Sequence, residues 1–338
     1  MTQVGEDGAG TISTSQKVAV VGAGVIGLCT GIRLRQAGLP VALFTRDSIL
    51  TTTSASSGAI WGPFLSEMDP RVANWSYSTL AELTKLAEVP ASGVELVSGI
   101  GAQRSGFSDD WWVASHDTAL IMRKPPPGYA DCWTYRVPII DTPKYLAFLN
   151  RMLRSLGGEV HRQEITSIDE FQSGEYNHVV IAAGLGSGKL TNDPRLVPSR
   201  GQLVIVENPG IRQFFAERGD GPDLTYILPQ GHLAVLGGTA EPGSTDLNPN
   251  EGTTREIINR CAAIEPRLTE AKVLSTRVGI RPCRDSVRLE HETAGRVHVV
   301  HNYGHGGSGI SLSWGCADSV STLVTACSTS TSSALSLN

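Results

Sequence analysis

The sequence predicts an α/β fold in which one nucleotide-binding domain is cut into pieces by antiparallel, sheet-rich insertions. Three observations predict it. A buried strand, Val18-Ala19-Val20-Val21, runs straight into a glycine turn and a helix. A second glycine-rich turn, Gly304-His305-Gly306-Gly307-Ser308-Gly309, leads into another helix about 280 residues later. Between them only one clean strand–helix–strand unit is visible, where a continuous doubly wound domain would show five or six in succession.

Gly22-Ala23-Gly24-Val25-Ile26-Gly27 is the G-x-G-x-x-G fingerprint in its expected context, after a strand and opening a helix. Gly22 permits the sharp turn, the bare Gly24 lets a pyrophosphate approach the backbone, and Gly27 lets the helix pack on the strand. The free N–H groups and positive dipole end of that helix then face the phosphates. The alternative is a turn that serves helix–strand packing alone. The helix runs to Ala37 with Gly38 as its cap, and Val41–Phe44 is the next strand. Arg46 and Asp47 follow, about 20 residues on, where a ribose partner belongs. Asp47 can accept from ribose hydroxyls, and Arg46 can pair with phosphate or cover the adenine; otherwise the two are a solvated turn pair. The hydroxyls of Thr51, Thr52 and Thr53 either line the pyrophosphate or belong to a polar loop.

Helical periodicity returns at 74–86, and residues 93–140 are strand- and turn-rich around Pro125-Pro126-Pro127. Thr142 reads as the N-cap of a helix with Pro143 at its first position, ending before Gly157-Gly158. Strands follow at 160–165, 178–184, 202–206 and 226–238, a helix at 253–264, a strand at 298–303 and a last helix at 311–324. No internal repeat is present. His301 and His305 are either metal ligands or bases, or structural hydrogen-bonding groups. No third ligand accompanies them, and no metal is expected.

The chain has 338 residues, 40% hydrophobic and 18% charged, enough for a real core. A net charge of −5 leaves no electrostatic footprint for nucleic acid. No apolar run approaches the roughly 20 residues of a membrane span. The six cysteines are scattered, with no C-x-x-C pair, and read as buried thiols in a reducing compartment. The first fifteen residues lack the apolar core of a secretion signal, and the chain does not end in Ser-Lys-Leu. A cytoplasmic protein with disordered tails at 1–15 and 327–338 is the expectation.

The stretch His301-Asn302-Tyr303-Gly304-His305-Gly306-Gly307, with Ser308-Gly309-Ile310 and Trp314-Gly315-Cys316-Ala317, resembles the C-terminal signature of the D-amino-acid oxidase family. Val278-Gly279-Ile280-Arg281-Pro282 and Arg288-Leu289-Glu290 resemble it too. Ile60-Trp61-Gly62-Pro63-Phe64, Arg200-Gly201-Gln202 and Tyr226-Ile227-Leu228-Pro229 fall in matching order, so the resemblance covers residues 16–325. It implies FAD as cofactor, held by a discontinuous Rossmann-like domain (16–60, 143–200, 278–326), with an antiparallel-sheet-rich substrate domain inserted (61–142, 201–277).

The resemblance also implies roles. Arg281 grips the substrate α-carboxylate, which a planar guanidinium does at two points; the alternative is an ion pair with Glu290 or Asp285. Tyr226 gives a second carboxylate contact, unless it is a core tyrosine. The Gly307 carbonyl accepts from the substrate amine. Gly306, Gly307, Ser308, Gly309, Ile310 and Ser311 lie along the flavin. Ile165 and Ala183 touch the cofactor from the middle strands, and Thr52, Thr53, Gly58, Ala59 and Ile60 complete its site. The implied reaction passes the α-hydrogen of a D-amino acid to the flavin as hydride, with no residue acting as acid or base. O2 then reoxidises the flavin to give H2O2, and the imino acid hydrolyses to a 2-oxo acid and ammonia.

Departures from the family pattern narrow the substrate. Pro222 stands where mammalian members carry a lid tyrosine, and Gly62 where they carry a glutamine, which opens the pocket. Ala240-Glu241 follows Gly237-Gly238-Thr239, where the D-aspartate branch places an arginine, so an anionic side chain is expected to meet no partner and a nearby repulsive charge. Neutral or apolar D-amino acids are therefore expected over D-aspartate. Rival readings are an oxidase of glycine, sarcosine or imino acids, a nicotinamide dehydrogenase, and a flavin-binding module without catalysis. Homodimers occur in the family, but the chain carries no clear interface signal.

Overall fold

A computed structural model describes residues 17–62, 70–104, 121–219 and 225–335. Residues 1–15, Pro63-Phe64 and the Asp220–Asp223 segment with Pro222 lie outside this set, so the expectations placed on them are not addressed.

Strand β1 (Lys17–Val21), helix α1 (Val25–Gln36) and strand β2 (Val41–Thr45) form the unit that the glycine fingerprint requires. β1 pairs in parallel with β2 on one side and with β8 (Tyr176–Ile181) on the other. β7 (Glu159–Arg162) extends the sheet beyond β2, and β15 (Val297–His305) extends it beyond β8. These five parallel strands are covered on both faces, which is why Val18, Ala19 and Val20 are all fully buried and show no polar alternation. Val18, Val20, Leu43, Val180 and Val300 face α1, α3 (Thr142–Ser155) and α6 (Gly309–Leu335). Ala19, Val21, Phe44, Val179 and Ile181 face Phe171 and Leu196.

The same sheet continues through β14 (Val273–Ala294) into β9 (Val197–Glu207), β12 (Leu233–Gly237), β11 (Tyr226–Gln230) and β10 (Phe214–Arg218). β4 (Val94–Gln103), β6 (Asp131–Ile140) and β3 (Ala59–Ile60) close that side. Pairing here is antiparallel apart from β4 with β10. Helix α5 (Glu251–Ile264) seals a second core through Ile257 and Cys261 against Val204, Ile227 and Leu236. β14 belongs to both halves: Val273–Cys283 pair with β9, and Cys283–Ala294 pair with β15.

Three local readings change. The N-cap of α3 is Asp141, whose carboxylate accepts from Lys144 N–H, with Thr142 the first helical residue. The Thr142 hydroxyl instead donates to the carbonyls of Ala55 and Ser57, tying α3 to the loop before β3. The last helix begins at Gly309 and extends to Leu335, beyond the 311–324 expected from periodicity. Periodicity also fails to reveal β14, a strand of 22 residues, because Pro282 interrupts it and charged residues occupy both its faces. No two of the cysteines are disulfide-bonded, and among the described residues no helix is long and apolar enough to cross a membrane.

Gly22 has φ of +114°, and its N–H donates to Phe44 O at 2.8 Å. A Cβ at Gly27 would collide with the Gly22 carbonyl, so the tight seat of α1 on β1 depends on its absence. Gly27→Ala is expected to cost about 2 kcal/mol through overpacking. A chemical denaturation midpoint unchanged from wild type would contradict that seat.

Candidate active site

The C-terminal ends of the parallel strands gather the glycine turns. Gly22 follows β1, and its α-carbon sits so close to the end of β8 that a side chain would strike Ala182 O and approach Ala183. At the start of α1, Gly24 is the N-cap and carries no side-chain cap. The Val25 N–H donates to Ser54 Oγ at 3.1 Å, a contact absent from the sequence reading. Ala23 is buried and Ile26 packs against the core. Arg46 and Asp47 lie past β2, exposed and bonded to each other at 2.7 Å, with Arg46 also 4.0 Å from Glu164. Ile165 lies apart from the main cavity, in a hollow with Phe44, His161 and Phe171. Thr52 Oγ1 turns back to Ile49 O.

A cavity opens between the two halves of the sheet. Thr53, Gly58, Ala59 and Ile60 line one side; Gly307, Ile310 and Ser311 line another; Arg281 and Tyr226 complete it. Of the expected residues, Gly306, Ser308 and Gly309 support this wall without lining it. Gly306 N–H donates to Pro282 O, Ser308 N–H donates to His305 O, and Gly309 begins α6. Ser311 Oγ accepts from Gly62 N–H and donates to Gly62 O, both at 3.1 Å, clamping the loop after β3 to the start of α6.

Arg281 reaches the cavity from β14. Its Nη1 donates to Thr239 O at 2.9 Å and to Arg200 O at 3.3 Å. Among the described residues neither Glu290 nor Asp285 pairs with it; Glu290 is taken by Arg288 at 2.6 Å. The guanidinium therefore enters the cavity held by two carbonyls, and among the described residues no carboxylate pairs with it. Space for it comes from Gly201, where a Cβ would lie 2.5 Å from Nη1. Tyr226 stands at the start of β11 with its ring against Gly237 and Gly238, where side chains would overlap it. Burial pushes the Tyr226 phenol up to about 12 against the opposing Arg281 charge, so it stays protonated and able to donate.

Behind the Gly304–Gly309 turn, Asp193 accepts from Arg284 Nε at 2.9 Å and from the Tyr303 hydroxyl at 3.0 Å. Burial pushes the Asp193 carboxyl up, but the Arg195 N–H, Tyr303 and Arg284 outweigh it and hold it at about 2. The Arg284 side chain lies against Gly304, so the pair braces the turn from behind. His301 is fully buried with Nε2 3.0 Å from Glu292 Oε1, and burial pushes His305 down to about 3, so it stays uncharged.

One premise of the substrate reading is corrected. Glu241 does not line the cavity; it is paired with Arg200 at 2.5 Å. The cavity carries a second cation instead, Arg218 of β10, whose Nη2 donates to the Tyr135 hydroxyl at 2.9 Å. Arg218 occupies the space that Gly62 leaves, 3.0 Å from where a Cβ would be, so that glycine admits a guanidinium. Nothing in the local sequence marks Arg218. It reaches the site because β10 pairs with both β4 and β11.

A glycine dinucleotide turn, a wall of bare backbone at a helix N-terminus, and an arginine in a half-open cavity are the parts of a dinucleotide-dependent enzyme. The chain belongs to the DAO family of FAD-dependent oxidoreductases, whose sequence model, described as FAD dependent oxidoreductase, matches residues 17–323. The D-amino-acid oxidase of Rubrobacter xylanophilus is 39% identical over 312 residues, 91% of this chain and 95% of that one. The human D-aspartate oxidase is 32% identical over 332 residues, covering 92% and 95%. The glycine oxidase structure from Geobacillus kaustophilus superposes with a TM-score of 0.75 at 21% identity, covering 91% and 95%, which speaks for the fold alone.

Asp193→Ala is expected to cost ~3–5 kcal/mol by leaving Arg284 buried without its partner. The contribution of Asp193 is complete above its ordinary value of 3.8 and is lost as pH falls through about 2. Denaturation curves recorded against pH should show the variant's deficit shrinking on the acid side; a deficit independent of pH would contradict this role.

Proposed function

We propose that the protein oxidises neutral or apolar D-amino acids, with O2 as the final electron acceptor. The observation that carries this reading is the convergence of Arg281, Tyr226 and the Gly307 backbone on one cavity. FAD fits the residues present. The bare Gly22–Gly27 turn and the Val25 region suit a pyrophosphate, with Arg46-Asp47, Thr52 and Ala183 near that end and Ile165 in the adjoining hollow. Gly58–Ile60 with Gly307, Ile310 and Ser311 offer a face to a flat ring system, and Gly306, Ser308 and Gly309 support it from behind. When bound, FAD supplies the two-electron acceptor for the α-hydrogen of the substrate.

The protein's own task is to orient and to exclude. Arg281 takes the α-carboxylate with its remaining guanidinium donors, and Tyr226, protonated, adds an O–H donor. The Gly307 carbonyl accepts from the amine, which fixes the third direction and so the handedness. No acid or base is called for. Glu217, the carboxylate lining the cavity, is engaged by Arg104, Tyr129 and the Thr225 N–H. Catalysis is thus assigned to positioning and a fixed field. The parallel half of the sheet supports assigning 16–60, 143–200 and 278–326 to the FAD domain. The antiparallel half supports 61–142 and 201–277 as the substrate domain. The cysteines, none in a disulfide, support a reducing, cytoplasmic setting.

A second reading has a specific observation behind it. Arg218 in the cavity offers a partner to an acidic or strongly polar substrate side chain. Peroxide release from D-alanine, D-aspartate, D-proline and glycine separates these readings and the glycine-oxidase reading. Turnover of D-aspartate far above D-alanine would overturn the neutral preference. Arg281→Ala is expected to keep the yellow flavin and to lose about 3 kcal/mol of transition-state stabilisation, roughly 100-fold in kcat/KM. Near-normal kcat/KM on D-alanine in that variant would sink the assignment of Arg281.

A further inference from the structure

Three histidines form a row across neighbouring strands at the end of the sheet opposite the glycine turns. His298 near the start of β15 pairs in parallel with His178 of β8 and in antiparallel with Thr293 of β14. His291, two residues before Thr293, is therefore its diagonal neighbour on the same face. His291 Nε2 and His298 Nδ1 are 3.1 Å apart, and the ring of His178 stacks on His298 with centroids 5.1 Å apart. Val180 and Val300, next along this face, belong to the core shared with α6, where Val320 and Val324 are buried. Cys327 is the following position of that i, i+4, i+7 stripe, which lowers its sulfur onto the histidine row. Ligand atoms of His291, His298 and Cys327 all lie within 4.8 Å of one another.

We propose that His291, His298 and Cys327 form a binding site for a thiophilic divalent cation of the Zn2+ type. Two ligands about 2.0–2.3 Å from a tetrahedral ion stand roughly 3.3–3.6 Å from each other, so these three groups need only small shifts to converge. Two imidazoles and a thiolate form the soft donor set that selects zinc over Mg2+ or Ca2+. A second observation points the same way. The Nδ1 of His178, a residue only 1% exposed, has no hydrogen-bond partner, so the row carries a buried nitrogen that packing alone leaves unsatisfied. Water completes the fourth position. Binding displaces the Cys327 thiol proton to solvent as the S–metal bond forms. Eight residues of extended β15 separate His298 from Gly306, on the order of 25 Å. The site therefore lies far from the cavity and clamps α6 at Cys327 to the β14–β15 hairpin.

The test is calorimetric titration of the FAD-loaded protein with Zn2+ in two buffers of different ionisation enthalpy. Cys327 alkylation is followed in parallel by mass spectrometry. Expected are one saturable site per chain, a buffer-dependent heat reporting the released proton, and protection of Cys327 by Zn2+. Cys327→Ser and His291→Gln should each weaken binding about 10-fold or more, while flavin absorbance and D-amino-acid turnover stay at wild-type values. Cys327→Ser changes one half-buried helix position and so separates ligand loss from misfolding. No saturable binding, or binding unchanged in Cys327→Ser, would overturn the site.

Discussion

The architecture depends on one strand being hydrogen-bonded to two different sheets' worth of partners. β14 gives its first half to β9 and its second half to β15, and the change of partner falls at Cys283. Because register in a ladder is fixed by every bond along it, the antiparallel and parallel halves cannot slide against each other without breaking β14. Arg281 lies two residues before the change of partner, and Arg284 one residue after it. The first faces the cavity and the second braces the Gly304 turn. One strand thus sets the separation between the arginine and the Gly307 backbone.

The site's polar groups follow a common logic. Some charged groups are neutralised by several bonds, as in Asp193 with Arg284 and Tyr303, and others are held by neutral acceptors, as Arg281 is by carbonyls and Arg218 by the Tyr135 hydroxyl. Glu217 belongs to the first kind and Arg281 to the second. A buried cation without a carboxylate is costly unless a ligand supplies one. Arg281, half-buried at the cavity, keeps part of its guanidinium available in this way, and Gly201 keeps the space beside it.

Much of this was legible in the sequence, and the legible parts share a cause. The β1 turn is read from glycines because only glycine survives at Gly22 and Gly27. The helices α3 and α5 are read from periodicity because one face alone is buried. What stayed hidden was placed by pairing rather than by local preference. Arg218 enters the cavity from β10, Ser54 meets Val25 across a loop, and Asp193 meets Arg284 across 91 residues. The histidine row likewise assembles from three strands and a helix. His301 and His305, more conspicuous in the sequence, sit elsewhere on β15. Thr142 shows a local limit: two capping residues stand side by side, and only the loop at Ala55 decides which one caps.

The strand order of the parallel half also bears on how the chain reaches this state. β1 is made first but sits in the middle, between β2 and a strand that emerges about 130 residues after β2 ends. At ordinary ribosomal speed the apolar edge of β1 waits on the order of ten seconds for β8. β15 must follow still later, after most of the chain has emerged. Long-range closure of this kind makes for slow folding and a prolonged open edge. The nascent chain is therefore most exposed to mispairing while β1 and β2 have emerged and β8 and β15 have not.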